Sequence, residues 1–285
     1  MSQKPTTSID QSNVSNANLV SAFFKNAVSL GERPLLFHKK KGKWTGTTWN
    51  EVADSIKRLS GALVAAGVQP RDRVMICAEN RPEWAIADLA IMAIGAIVVP
   101  AYTTNTEDDH IYIMEHSGAV VIITSGGILG NRVALAASRV PNIRMLITMD
   151  PDTEVPDLAP TTVHTWQSLL KSTEPLVDID ARIYAQNADD ICCFVYTSGT
   201  GGRPKGVMLT HRSIQACITA AKEILEEGDV AENQRFLSLL PLSHSYEHTA
   251  GQFFPIMIGA QIYYAEGIDK LAQNMEEVHP TLMTA

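Results

Sequence analysis

Four cysteines in 285 residues, none in a C-x-x-C spacing, leave no material for a disulfide framework or a thiolate zinc site. Cys192 and Cys193 are adjacent on a predicted strand, where neighbouring side chains point to opposite faces. The cytoplasm is the compartment that this cysteine usage suits. Positive charge is scarce too: 23 Lys and Arg against 31 Asp and Glu give a net charge of −8. That excludes the basic surface on which nonspecific nucleic-acid binding depends. Long apolar runs are missing as well. The most apolar stretch, residues 85–100, is interrupted by Asp88, divided by Gly95 and too short to span a bilayer. The first 18 residues are rich in Ser, Asn, Thr and Gln without an apolar h-region, so they read as a disordered tail and not a signal peptide. There is no repeat of fixed period.

What is present is ample core material, 45% hydrophobic against 19% charged residues. Residues 19–30 carry apolar side chains at helical spacing and stop at Gly31. Short strands at 35–38 and 43–47 flank Lys39, Lys40, Lys41 and Gly42, which read as a solvated hairpin tip. Thr48 and Glu51 form a capping-box pattern, opening a helix that buries Val52, Ile56, Leu59 and Leu63 and ends at Gly67. Strands at 73–78, 97–100, 119–124 and 144–148 then alternate with helices at 84–94, opened by Asn80-Arg-Pro82, at 106–117, closed by Gly118, and at 128–139. This alternation predicts an α/β fold, with parallel-rich sheets in layers and helices on both faces. Asp150, Asp152, Glu154 and Asp157, set among prolines, read as a solvated connecting loop, because they lack the glycine and glutamate spacing of a calcium site. A short helix follows at 166–171.

The most informative stretch begins at Asp190. Residues 191–196 have the β-branched and aromatic content of a buried strand, and the chain then turns to hydroxyls and glycines. Gly199, Gly201, Gly202 and Gly206 let backbone amides converge on one point, Thr197, Ser198 and Thr200 add hydroxyl donors, and Lys205 adds a positive charge. The pattern is a phosphate cradle, although a bare glycine-rich hairpin turn would share its glycines. It is neither of the two best-known phosphate motifs. Val207 stands where a P-loop needs its Lys after the second glycine, and Pro204 breaks a G-x-G-x-x-G reading. Residues 207–209 read as a second strand, and a helix starts only near 211–213.

The order Tyr196-Thr-Ser-Gly-Thr-Gly-Gly-Arg-Pro-Lys-Gly-Val-Met-Leu-Thr-His211 closely resembles the signature of the adenylate-forming (AMP-binding) superfamily. Pro241-Leu-Ser-His244-x-x-Glu247 and Gly259-Ala-Gln-Ile-Tyr-Tyr264 resemble segments of its long-chain acyl-CoA synthetases. The resemblance runs from Thr48 to Thr281 and implies the N-terminal part of the large adenylate-forming domain. Its implied reaction joins a fatty acid to AMP at the expense of ATP and then passes the acyl group to coenzyme A. By the same resemblance Thr197, Ser198, Gly199, Thr200, Gly201, Gly202 and Lys205 hold the phosphates, Thr200 helps place Mg²⁺, and His244 orients the reacting carboxylate. The family usually has threonine where Gly201 stands, so one hydroxyl of the loop is lost here. The family's Tyr-Gly-x-Thr-Glu and Thr-Gly-Asp elements and its C-terminal lid are not found, so the chain reads as a truncated ligase. The expected organisation is a tail at 1–18, a first α/β subdomain at 19–185 and a second at 186–285. Expected partners are fatty acid, ATP and coenzyme A, with no nucleic acid and no transmembrane segment. The reading is compatible with peripheral contact at the inner membrane.

Two other readings start from the same residues. His244-x-x-Glu247-His248 formally matches the H-x-x-E-H pattern of inverted zinc metallopeptidases, with Glu266, Asp269, Glu276, Glu277 or His279 as a third ligand. The ligase resemblance accounts for more of the segment. A noncatalytic nucleotide- or acyl-binding module would also keep the cradle. Tyr246, Phe253, Phe254 and Met257 fit either an acyl tunnel or a core.

Overall fold

The computed structural model describes residues 18–151, 153, 155, 161–197, 203–226 and 234–284. The chain opens with α1 (Leu19–Leu30), the hairpin β1 (Pro34–Lys40) and β2 (Lys43–Thr48), and α2 (Trp49–Ala65). Alternation follows: β3 (Arg73–Cys77), α3 (Pro82–Ala93), β4 (Ile97–Pro100), α4 (Glu107–Ser117), β5 (Ala119–Thr124), α5 (Gly127–Ser138) and β6 (Met145–Thr148). Then come β7 (Thr162–Thr165), α6 (Trp166–Ser172), α7 (Ile179–Tyr184), β8 (Ile191–Thr197), β9 (Lys205–Thr210) and α8 (His211–Glu226). Last are β10 (Arg235–Ser238), a π-helix (Glu247–Phe253), α9 (Phe254–Ile258), β11 (Gln261–Tyr264), α10 (Leu271–Val278) and β12 (Leu282–Met283). The strand at 162–165 and the helix at 179–184 are additions to the sequence reading.

Among the described residues the strands form two sheets. One has the order β7-β6-β5-β3-β4-β8-β9, parallel except for the β8–β9 pair. The other has the order β12-β10-β11-β1-β2, parallel except for the β1–β2 hairpin. The fold is therefore α/β with parallel-rich sheets, as the alternation predicts. Pairing of β1 with β11, Leu36 opposite Ile262, brings the two ends of the chain into one sheet across residue 185.

Core placement follows the period of two along each strand. Val74 and Ile76 of β3 join α1, α2, α3, β1 and β11 in the cluster between the sheets, whereas Met75 and Cys77 join α4 and α5 on the other side. Every residue of α3 except Glu83 in its first turn is buried, so the body of this helix is apolar on all faces because it is walled in. Asp88 is the one charged residue within its buried part. Among the described residues no helix is long and apolar enough to cross a membrane.

The capping box of α2 is as expected, with the Glu51 amide on Thr48 Oγ1 at 3.2 Å and the Thr48 amide on Glu51 Oε2 at 2.7 Å. The hairpin tip turns on Lys41 at φ 49° and Gly42 at φ 76°, both left-handed as a two-residue I′ turn requires. Lys39 departs from the solvated tip expected of it. Its Nζ lies 2.7 Å from Glu277 Oε2 and 3.0 Å from Glu266 Oε2, and these bonds, Glu277 first, raise its pKa. Asp150, though partly exposed, is likewise engaged: Arg81 holds it through two bonds of 2.9 and 3.0 Å, and the Gly126 amide donates to it at 2.7 Å. Asp152, Glu154 and Asp157 lie outside the described residues.

Asn18, expected at the end of the tail, is buried and caps α1, its side chain donating to the Ile183 carbonyl at 2.8 Å. Beside it, the Leu19 amide donates to His211 Nδ1 at 3.4 Å. Burial holds the His211 pKa down, to about 4, with Asp190 opposing. The native state thus binds fewer protons at this group than the unfolded chain. Its contribution is complete above the unfolded value of 6.5 and is lost as pH falls toward 4. The loss is about 3 kcal/mol. Urea unfolding at a series of pH values should show this fall between pH 6.5 and 4, and His211→Gln should remove about one proton from the slope.

Candidate functional site

In an open parallel sheet, ligands gather where the strands end at their carboxyl termini. Here β3, β4, β5 and β8 all end on one side, and the glycine-rich loop leaves β8 on that side. β8 and β9 are antiparallel, with Tyr196 opposite Gly206 and Thr197 opposite Lys205. Directly opposed residues share a face, so the Thr197 hydroxyl and the Lys205 ammonium leave the loop's two feet on the same side. Both are exposed. Lys205 is the first residue of β9, where the sequence reading placed it in the loop. Ser198, Gly199, Thr200, Gly201 and Gly202, and with Thr200 the expected Mg²⁺ contact, lie outside the described residues.

His244 sits in the turn after β10, its amide on the Pro241 carbonyl at 2.9 Å. The ring is exposed, and Nδ1 accepts the Tyr246 amide at 3.2 Å. A neutral imidazole held this way carries its proton on Nε2, the nitrogen left to meet a ligand. Asn80, three residues beyond the β3 end, fixes this turn. Its Nδ2 donates to the Leu240 carbonyl at 2.7 Å and Ser238 Oγ at 3.1 Å, and its Oδ1 accepts the Leu242 amide at 3.0 Å. One side chain thereby joins the ends of the two sheets. Between them lies an open cleft of about 420 Å³ whose lining includes His38, Glu79, Asn80, Ser243, Tyr264 and Glu266. Tyr264 Oη and His38 Nδ1 are buried there without a partner among the described residues, and burial pushes the Tyr264 pKa up. A second cavity of about 470 Å³ touches Ile97 and Ile191, the first residues of β4 and β8. It is therefore at the wrong end of the strands for this chemistry.

The three residues of H-x-x-E-H have separate partners. His248 Nε2 donates to Asp88 Oδ2 at 2.9 Å, and Gln252 Nε2 donates to the same oxygen at 2.6 Å. Cys193 Sγ lies 3.9 Å from His248 Nδ1. Glu247 accepts from Ser238 Oγ at 2.6 Å and from Thr284 Oγ1; burial raises its pKa, and the two hydroxyls oppose that. His248 and Glu247 are thus turned into the protein while His244 is turned out, which does not favour the zinc reading. Among the described residues no group of three or more His, Cys, Asp or Glu side chains gathers to hold a metal ion. Phe253 and Phe254 are core, and Tyr246 is half exposed. Within the π-helix the Glu247 side chain folds back onto Gly251, since a Cβ there would fall 2.3 Å from the Glu247 carboxyl carbon.

A family model described as AMP-binding enzyme matches residues 23–285. The chain belongs to this family. Curated relatives of the chain include the long-chain-fatty-acid–CoA ligase ACSBG2 of Gallus gallus, 29% identical over 270 residues, covering 92% of this chain and 35% of that protein. The long-chain-fatty-acid–CoA ligase FadD15 of Mycobacterium tuberculosis is 33% identical over 207 residues, 71% of this chain and 32% of that protein. The chain spans about a third of the length of these relatives. Among solved structures, a benzoate CoA ligase from Burkholderia xenovorans aligns with a TM-score of 0.78 at 24% identity, over 93% of this chain and 49% of that one. The N-terminal domain of FACL13 from Mycobacterium tuberculosis aligns at 0.75 and 22% identity, over 94% and 63%. These two show the fold.

Sequence reading missed Asn80 and Asp88 as parts of the site. Asn80 was visible only as the start of a helix, but a carboxylate in the apolar run after Glu83 was a signal for Asp88. Replacing His248 by alanine leaves that buried carboxylate half-satisfied, and the expected destabilisation is about 3–5 kcal/mol. Urea denaturation of His248→Ala beside the parent measures it.

Proposed function

We propose that this AMP-binding enzyme contributes the phosphate-binding half of a long-chain fatty-acid:CoA ligase. What carries the reading is the opposition of Thr197 and Lys205 at the feet of the glycine-rich loop, on the carboxyl side of the sheet. The long-chain ligases among its relatives support the substrate class. In this reading the fatty-acid carboxylate attacks the α-phosphorus of ATP. A P–O bond forms to the acyl oxygen, the bond to the bridging oxygen breaks, and pyrophosphate leaves. The thiol of coenzyme A then displaces AMP from the acyl carbon.

Each described residue has a task in that sequence. The Lys205 ammonium neutralises charge on the β- and γ-phosphates as the leaving group departs, and the Thr197 hydroxyl donates to the same phosphates. His244, with its proton on Nε2, holds the carboxylate in line with the α-phosphorus. Ser198, Gly199, Thr200, Gly201 and Gly202 would supply the remaining phosphate donors, and Thr200 would help to hold Mg²⁺. The divalent ion would supply charge neutralisation there. Cys77, Cys192 and Cys193 are buried free thiols, which suits a reducing cytoplasm.

Pyrophosphate exchange into ATP, driven by palmitate and by benzoate in parallel, tests the reading in the full-length protein. Exchange is expected with palmitate, and Lys205→Ala should lower it roughly 10²- to 10³-fold, the effect of removing one preorganised donor. Exchange unchanged in Lys205→Ala would sink the loop assignment. Exchange with benzoate alone would sink the long-chain assignment. ATP binding without exchange would return the chain to the binding-module reading.

A further inference from the structure

Helix α4 is not part of the glycine-rich loop's own hairpin, yet it touches both of the loop's limbs. Tyr112 and His116 lie one turn apart on α4 and so face the same way. The Tyr112 hydroxyl donates to the Pro204 carbonyl at 2.9 Å, and the Arg203 guanidinium lies over the Tyr112 ring, 5.2 Å from its centroid. Pro204 immediately precedes Lys205. On the other limb, His116 Nδ1 is 2.8 Å from the Tyr196 hydroxyl, one residue before Thr197. Tyr196 is buried and lies across from Gly206, where an added Cβ would come within 3.3 Å of its Cζ. The aromatic ring therefore covers the start of the strand that carries Lys205.

The helix is suited to act as a fixed anchor. At one end Thr106 and Asp109 form a reciprocal capping box, and at the other Gly118 closes it in the left-handed conformation at φ 66°. Its inner face, Ile113 and Met114, is fully packed in the cluster behind the seven-stranded sheet. Neither tyrosine has any other evident task in the proposed reaction.

We infer that Tyr112 is a positioning residue for the polyphosphate. It holds the Pro204 peptide so that Lys205 leaves the strand in a fixed direction, while His116 and Tyr196 fix the opposite limb. The inference rests on the phosphate-binding reading of the loop, and it adds a residue from α4, about ninety positions earlier in the chain, to that site.

In the full-length protein, Tyr112→Phe keeps the ring beneath Arg203 and removes only the bond to Pro204. The KM for ATP in pyrophosphate exchange should rise roughly three- to tenfold, the scale of one hydrogen bond, with kcat within about twofold and the KM for palmitate unchanged. A merely structural tyrosine would lower kcat through lost folded protein and leave KM alone. Tyr112→Leu, which also removes the ring, should raise the KM for ATP further. Amide hydrogen exchange gives a readout without turnover: the amides of Arg203, Lys205 and Gly206 should exchange faster in Tyr112→Phe, with β3 and β5 unaltered. Lys205→Ala measured alongside separates the two claims. If Lys205→Ala is impaired while Tyr112→Phe keeps the parent's KM for ATP and amide protection, the role of α4 is overturned alone. If Lys205→Ala exchanges pyrophosphate like the parent, the loop reading falls and takes this inference with it.

Discussion

A single carboxylate oxygen, Asp88 Oδ2, accepts from His248 and from Gln252 in the middle of the molecule. Asp88 sits on α3, a helix of which every residue but Glu83 is buried, so close packing leaves its carboxylate little choice of position. The π-helix that follows the His244 turn must then arrange itself to satisfy that oxygen. A buried carboxylate tolerates few alternatives, because an arrangement that leaves it unpaired loses several kcal/mol of the order of its desolvation. The same stretch of chain begins with Asn80, which ties the β10 end to the β3 end. Residues 80 and 88 together decide where His244 stands relative to the seven-stranded sheet.

That arrangement separates two layers of polarity. Toward solvent lie the exposed groups proposed for chemistry: Thr197, Lys205 and His244. Behind them lie groups with assigned partners: Glu247 on Ser238 and Thr284, and His248 on Asp88. The exposed groups keep hydrogen-bonding capacity for a ligand, and the buried ones spend theirs on holding the scaffold. The π-helix makes this division possible. Its wider turn admits the Glu247 carboxyl against Gly251, where a side chain could not fit.

Much of the fold was legible because its signals are local. The capping box at Thr48 and Glu51, Pro82 at the start of α3 and Gly118 at the end of α4 each mark a boundary within a few residues. The phosphate loop was legible for the same reason, since its glycines and hydroxyls are contiguous. What failed was everything decided by a distant partner. The pattern His244-x-x-Glu247-His248 cannot say that Asp88, 160 positions away, claims His248. Lys39 read as solvated because Glu266 and Glu277 approach it only once α10 is packed. Strand β7 was hidden by proline-rich surroundings, and its residues are held by the parallel ladder to β6, a contact with no local sequence mark.

The union of β1 with β11 has a consequence for how the chain is made. The β1–β2 hairpin is complete after residue 48, but the strand that covers its inner edge ends at Tyr264. At ribosomal rates of about 5–20 residues per second, the hairpin waits on the order of ten to fifty seconds with one edge unpaired. An edge left open that long is a template for pairing with another nascent chain. Lys39, Lys40, Lys41 and Lys43 crowd the end of this hairpin, and like charges on neighbouring polysomal chains repel. Lysines at that end disfavour such pairing for as long as the sheet is incomplete, and Lys39 can take up both of its glutamates only after synthesis has passed residue 277.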